Sequence, residues 1–569
     1  MYIDIVPNRN SPPAVLLRES YRKNGRIIKR TIANLSKCPP DAIESFRLAL
    51  RGVKLTPQAD RFIIERSIPF GHVEALLGLM NSLKMDTLLS SRPCRERSLV
   101  LAMIAQRLLD PCSKLSTTRQ WHSTALAEEL SVADADENDL YAALDWLLDR
   151  QERIEDKLAK RHLHNGGHVL FDVSSSSYHG RSCPLASYGY NRDGEKLPCI
   201  VYGLLTDEAG RPVAVETYPG NTADSETVAG QVDKLRIRFN LDRVVLVGDR
   251  GMLPQSRIDE IKKIPQLGWI TALRSSSIRE LLENGVVQMS LFDQRNLAEI
   301  TCEEYPGERL VACYNPLLAI DRRHTREDLL LATEEKLALI AAEVKRRIHK
   351  QLLANEIGIK VGKVLSRYKM GKHFILDIQN GAFSYQRNTV SIEKEECLDG
   401  IYIIRTSEDG NKIAADDIVR TYKSLGQVEQ AFRCIKNLDI RIRPIHHRTE
   451  PRVKAHIFLC MLAYYVEWHL RKSLAPVLFQ DDELDVVRWQ RDPVAKAMPG
   501  EKAKKKKSNK QTEDGWPVQS LHTLLDNLGT RCMNTCRVDN DGNVIRFKQI
   551  TQPTPFQHHS FGLLGISLR

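Results

Sequence analysis

HVLFDV, residues 168–173, and RVVLVGD, residues 243–249, decide the fold. Each is a short apolar run, and each runs into an aspartate, Asp172 in the first and Asp249 in the second. Continuous apolar runs of this length predict strands covered on both faces. CIVYGLLTD (199–207) and PVAVETY (212–218) predict two more strands, joined by the turn DEAGR. DSETVAGQVDKLRIRF (224–239) predicts a helix, and beyond Asp249 a short helix after Pro254 leads to a fifth strand in GWITALR (268–274). Three strands, a helix, a strand ending in Asp, a helix and a strand form a layered α/β unit.

A third acid, Glu429, lies in the helical stretch DDIVRTYKSLGQVEQAFRCIK (416–436). Asp416 is placed to cap that helix, and the spacing of Tyr422, Leu425, Glu429, Arg433 and Lys436 puts them on one side of it. Two strands ending in Asp and a helix-borne Glu can bring three carboxylates to one point. Carboxylate oxygens are the hard ligands of Mg²⁺ or Mn²⁺, and two such ions about 4 Å apart clamp the attacking and leaving oxygens of a phosphodiester. The competing reading is ordinary turn chemistry for the aspartates and an exposed i,i+4 pair of Glu429 with Arg433.

DVSSSSY (172–178), PGNTADSET (219–227), VLVGDRGM (245–252) and YKSLGQVEQAFRCIK (422–436) together resemble the DDE transposases of bacterial insertion sequences. The likeness is to the group with a Tyr-x2-Arg-x3-Glu-x6-Lys signature, in which Tyr422, Glu429 and Lys436 match and Leu425 takes the Arg position. KHFILDI (372–378), DGIYIIRT (399–406) and RPIHHRTEPRVKAHIFLCMLAYYV (443–466) extend the resemblance over roughly residues 90 to 475. It implies a ribonuclease-H-like catalytic domain with a β-rich insertion, preceded by a basic β hairpin and a helical DNA-binding region. It also implies Asp172, Asp249 and Glu429 as catalytic residues holding two Mg²⁺ or Mn²⁺ ions, with Asp172 bridging. Tyr422, Arg433, Lys436 and Arg250 are then expected to support DNA phosphates. The implied activity is strand cleavage at mobile-element ends followed by strand transfer. The implied partners are double-stranded DNA, as terminal inverted repeats and as target, and a second copy of the chain on that DNA. Two alternatives remain at this point: an inactive transposase-derived DNA-binding protein, and a ribonuclease-H-like structural nuclease.

Composition agrees with a polyanionic partner. Lys and Arg total 83 against 72 Asp and Glu, for a net charge of +11 over 569 residues and a pI near 9.0. The cations cluster in RESYRKNGRIIKR (18–30), in residues 343–372 and in the lysine run 502–507. Twelve cysteines without a CxxC pair read as reduced, and the N-terminus MYIDIVPNRNSPP has no signal pattern. These features predict an intracellular protein with no membrane, and the resemblance implies the bacterial cytoplasm, associated with the nucleoid.

The chain is expected to divide as 1–60, a basic hairpin region turning at Lys23, Asn24 and Gly25; 61–165, helices for DNA binding or dimer contacts; 166–278, the first part of the core; 279–412, the insertion; 413–475, the second part with the Glu helix; and 476–569, a basic linker and C-terminal tail. Within these, Asp110 and Pro111 should end a helix and Ser116 or Thr117 should cap the next. In the insertion, VVQMSLFD, EITCEEY, RLVACYN, KHFILDI and DGIYIIRT read as strands and residues 324–353 as basic helix. HIFLCMLAYYVEWHL (456–470) reads as a buried helix, and RCMNTCRVDNDGNVIRFKQI (531–550) as a small β module turning at Asp541 and Gly542.

Overall fold

Asn24 and Gly25 both adopt left-handed backbone, with φ of 51° and 76°, the conformation a two-residue hairpin turn requires. They join β2 (Ala14–Lys23) to β3 (Arg26–Asn34), and β1 (Tyr2–Val6) pairs with the other edge of β2. The computed structural model describes residues 1–8, 12–53, 63–293, 295–482, 492–495, 498–540 and 543–569. These form two units, Met1–Ile68 with Cys532–Gln552, and Pro69–Arg531 with Pro553–Arg569.

In the first unit, the basic hairpin is exposed on both faces beyond Arg18, and Arg18 ties its base to Asp4 at 2.7 Å. β4 (Ile63–Pro69) forms a second three-stranded sheet with strands Cys532–Asn540 and Asn543–Ile550. Residues 63–69 were expected to open the helical region. The β-branched Ile63, Ile64 and Ile68 favour a strand instead, and Glu65 bonds Arg546 at 2.8 Å on that sheet. The expected turn at Asp541 and Gly542 lies outside the described residues.

The second unit is built around β5 (His168–Ser177), β6 (Cys199–Asp207), β7 (Pro212–Pro219), β8 (Val244–Val247) and β9 (Leu267–Ala272). Their order is β7-β6-β5-β8-β9. β5, β6 and β7 are antiparallel neighbours, whereas β8 runs parallel to both β5 and β9. This mixed sheet is consistent with the ribonuclease-H-like arrangement. The helix Glu450–Leu474 is buried along most of its length, as its apolar faces predict, and packs with Arg95–Leu109 and Glu137–Leu148. Arg95–Leu109 does end at Asp110, but Ser113 rather than Ser116 or Thr117 caps the next helix, its side chain accepting from Ser116 N at 3.1 Å.

The insertion adds β10 (Leu297–Ile300), β11 (Arg309–Tyr314) and, after an excursion, β14 (Ile401–Thr406) to the free edge of β9, in the order β9-β14-β11-β10. The excursion holds the 31-residue helix Pro316–Arg346, the helix Ala354–Tyr368 and the hairpin of β12 (Phe374–Gln379) and β13 (Ala382–Arg387) around a small core of its own. The insertion is thus more helical than β-rich, because Ala, Leu, Glu, Lys and Arg dominate the long helix. VVQMSLFD contains only a 3₁₀ turn, Met289–Leu291, and β13 was not expected.

Among its described residues, the segment expected as a basic linker and tail forms the helices Glu501–Asn509, Leu521–Gly529 and Pro555–Leu564. Leu521, Leu524, Leu525 and Leu528 follow a helical period and enter the main core with Phe556 and Phe561. Lys506, from the lysine run, is buried against Asp482 at 3.1 Å and the Ala475 carbonyl at 3.0 Å. Among the described residues no helix is long and apolar enough to cross a membrane.

Candidate active site

β5 and β8 share a short parallel ladder in which His168, Val169 and Leu170 face Val245, Leu246 and Val247. Asp172 lies two residues beyond Leu170, and Asp249 two beyond Val247. Neighbouring strands are about 4.8 Å apart, so Asp172, still within β5, lies level with the point where the chain leaves β8 towards Asp249. Asp172 is not at the end of its strand as expected. β5 continues to Ser177 because Val173 to Ser177 pair with Gly203 to Cys199 of β6. The Asp249 carbonyl accepts from Met252 N at 3.0 Å and Leu253 N at 3.2 Å, a turn that leaves its side chain exposed.

Glu429 arrives on the helix Leu425–Arg433, which packs over β5 through buried Val428, Ala431 and Phe432, with Phe432 5.8 Å from the Tyr202 ring. Glu429 is on the exposed side. The expected single helix is broken: Ala415–Lys423 ends at Ser424, and Leu425–Arg433 runs into a π turn, Cys434–Leu438. Asp416 does not cap; Ala414 is the N-cap, and Asp416 pairs with Arg420 at 3.0 Å.

The π turn inserts an extra residue into the helical repeat, so an offset count through it fails. Arg433 is exposed and bonds Gln430 at 2.7 Å. Lys436 turns inward, bonding the Ser175 carbonyl and Asp193. Asp193 also takes Arg443 at 2.9 Å and Ser177 N at 2.8 Å. Tyr422 donates its hydroxyl to Asp249 Oδ1 at 3.3 Å. Leu425 is half-buried and packs against the core, and Arg250 is exposed beside Asp249.

Burial, with the like charges of Asp249 and Glu429, pushes the Asp172 carboxyl up to about 7 against the opposing pull of Val173 N and Arg192. Burial and the Asp249 contact also raise the Tyr422 phenol. The three acids thus share one electrostatic neighbourhood. Their oxygens do not all lie within 4.8 Å of one another; among the described residues the group that does is Cys434, Asp439 and Glu467. That group is already engaged, since Arg471 bonds Asp439 and Glu467 at 2.6 Å each. The acids at β5, β8 and the Glu429 helix offer only hard oxygen donors and an excess of negative charge, which suits a divalent cation of the Mg²⁺ class.

Sequence reasoning passed over Arg192 and Asp193 in the loop after β5, and Asp224 within PGNTADSET. The signal was there in part: NRDGE (191–195) sets two opposite charges in a turn close behind an Asp-bearing strand.

Residues 164–466 match the family of the transposase DDE domain, a span that includes Asp172, Asp249, Glu429 and the insertion between them. Residues 3–60 match the family of the IS1634 family transposase N-terminal domain. No curated protein matches the chain.

Proposed function

We propose, for a chain that belongs to the DDE transposases of insertion sequences and carries an IS1634-type N-terminal domain, that it cuts DNA at the ends of its own mobile element and joins the freed ends to a target. The observation that carries this reading is the placement of Asp172 and Asp249, each two residues past the β5–β8 ladder, with the Glu429 helix packed over β5.

Asp172, Asp249 and Glu429 would hold divalent cations. When bound, the ions lower the pKa of the attacking water or 3′-hydroxyl and offset the charge that develops on the phosphate. The residues themselves orient the acids. Buried Phe171 and Val173 flank Asp172 on β5, and the Tyr422 hydroxyl fixes the Asp249 carboxylate through its 3.3 Å bond. Arg433, exposed one turn after Glu429, is available to a phosphate of the same strand. Arg250 offers a second exposed cation beside Asp249. Lys436 acts at one remove, bracing the π turn to β5 through Ser175 and Asp193.

The exposed cations of the N-terminal hairpin suit the groove or backbone of terminal-repeat DNA, and two copies of the chain would hold the two ends of one element. The test is nicking of a supercoiled plasmid carrying the element's ends. The intact chain is expected to nick it in Mg²⁺, and Asp172→Asn is expected to bind the ends without nicking. Nicking by Asp172→Asn at the parent rate would remove the proposal.

A further inference from the structure

The Arg192 guanidinium is bonded to Asp224, whose carboxylate flanks Gly251 together with that of Asp249. It comes from the loop between β5 and β6, and its partner Asp224 from the segment after β7. Backbone contacts bring these segments together. A Cβ on Gly220 would lie 2.0 Å from the Cys199 carbonyl oxygen and 2.4 Å from that of Ser187, and one on Gly189 would lie 2.0 Å from the Gly220 oxygen. Only glycine fits at either position.

The loop is also pinned to β5. Ser175 Oγ donates to the Tyr190 carbonyl at 3.1 Å and accepts from Arg192 N at 2.9 Å. Asp193, the next residue, is fixed by Lys436, Arg443 and Ser177 N. The guanidinium is therefore presented from a rigid stem. It uses one nitrogen, Nη2, for both oxygens of Asp224, at 2.8 and 2.7 Å. The donors on Nε and Nη1 make no hydrogen bond to the described residues, and the side chain is 22% exposed.

The site around it is anionic. A Cβ on Gly251 would stand 3.8 Å from Asp249 Oδ2 and 3.9 Å from Asp224 Oδ2, so the carboxylate holding Arg192 and that of Asp249 flank the same glycine. The Arg192 charge also acts on Asp172. A planar guanidinium with unengaged donors beside such acids matches the oxygens of a phosphodiester, which it can fork.

We propose that Arg192 contacts a non-bridging oxygen of the DNA phosphate under attack, with Asp224 as the positioning residue that holds the guanidinium in place. This rests on the reading of the acids as the cleavage site.

The test uses the full chain carrying Glu429→Gln, so that DNA is bound and not cut, with Mg²⁺ present. Two duplexes bearing the terminal repeat of its own element are compared, one with an ordinary diester at the cleavage position and one with an uncharged methylphosphonate there. Arg192→Ala is expected to weaken binding to the diester duplex about tenfold, the scale of a charge-assisted hydrogen bond, and to leave binding to the methylphosphonate duplex at the parent value. Arg192→Lys should recover part of the loss. Asp224→Asn should narrow the preference for the diester without weakening the methylphosphonate complex, whereas a merely structural role would weaken both. Unchanged melting temperatures for all variants are expected, since the loop is anchored by its backbone contacts, Ser175 and Asp193, none of which these variants change. Equal losses on both duplexes, or no loss on the diester, overturn the proposal. If Asp172→Asn still nicks DNA while the phosphate-dependent effect of Arg192 is present, the acid-triad reading falls and the Arg192 contact stands.

Discussion

Asp172 and Asp249 each lie two residues past the Leu170–Val247 pair that ends the parallel β5–β8 ladder, Asp172 still within β5 and Asp249 in the turn that follows β8. Because side chains alternate along a strand, a slip of one residue in that ladder would turn Asp172 to the other face of β5 relative to the chain that leads from Val247 to Asp249. The buried runs Val169–Phe171 and Val244–Val247 fix that register. Asp249→Asn, like Asp172→Asn, keeps side-chain size and removes a ligand charge. Each is expected to reduce Mg²⁺-dependent nicking to background with end binding retained. Gel-shift and nicking assays on the same preparations check both halves, and loss of binding along with nicking would mean that the aspartates serve the fold.

The raised Asp172 carboxyl makes a pH prediction. Its folded value is about 7 against an ordinary 3.8. Between those values the folded chain keeps a proton that the unfolded chain has released, so stability falls as pH rises through that window, and the whole cost is present above about pH 7. Asp172→Asn removes it. The metal-free variant should melt higher than the parent at pH 8 and at the same temperature near pH 3. Adding Mg²⁺ at pH 8 should raise the parent more than the variant. Calorimetry at the two pH values reads the difference, and a gain confined to pH 3 would refute the assignment.

The strand order was legible because the five runs of the core are apolar and bounded by turn residues. Both aspartates could be read for the same reason, and Glu429 from its spacing to Tyr422 and Lys436. What failed was counting along the helix. Ser424 breaks it and the π turn at 434–438 shifts its phase, so Lys436 faces Asp193 while Arg433 faces outward. No periodicity argument anticipates a π turn, since it follows from packing. Ile63–Pro69 was missed because its strand partners come from residues 532–550. The loop carrying Arg192 and Asp193 was missed for a related reason: its charges matter only through contacts distant in sequence.

Asp193 is nearly fully buried, its side chain 3% exposed, and binds Lys436 at 3.2 Å and Arg443 at 2.9 Å. Removing it would leave two part-buried cations uncompensated, a change that costs about 3 kcal/mol. Asp193→Ala should therefore lower the denaturation midpoint strongly. Lys436→Met, which deletes one cation but leaves Arg443 on Asp193, should cost less. Urea titration orders the two variants, and a larger loss from Lys436→Met would contradict the brace.

Leu425 takes the place where the signature has Arg, and it packs against the core. Arg433 is the cation left exposed on that helix after Glu429. Arg433→Ala should leave stability within about 0.5 kcal/mol, as for a surface site, while slowing nicking. Single-turnover cleavage at saturating protein separates this from a binding defect. A normal rate would exclude Arg433 from the site.

The N-terminal hairpin makes the last prediction. Arg22, Lys23, Arg26, Lys29 and Arg30 are exposed around a turn made by Asn24 and Gly25, and few carboxylates stand among them. Lys23 and Arg26 face each other across the closing pair, so their charges repel unless an anion comes between them. A ribbon of this kind is suited to a phosphate backbone. Changing Lys23 and Arg26 together to Ala should weaken end binding and lower the slope of log affinity against log salt by up to about 0.9 for each lost phosphate contact. The variant's nicking of pre-bound ends should stay near the parent rate, because the acid site lies in the other unit. Titration of a labelled terminal-repeat duplex at several salt concentrations gives the slope. A slope equal to the parent's would show that the hairpin cations do not touch DNA.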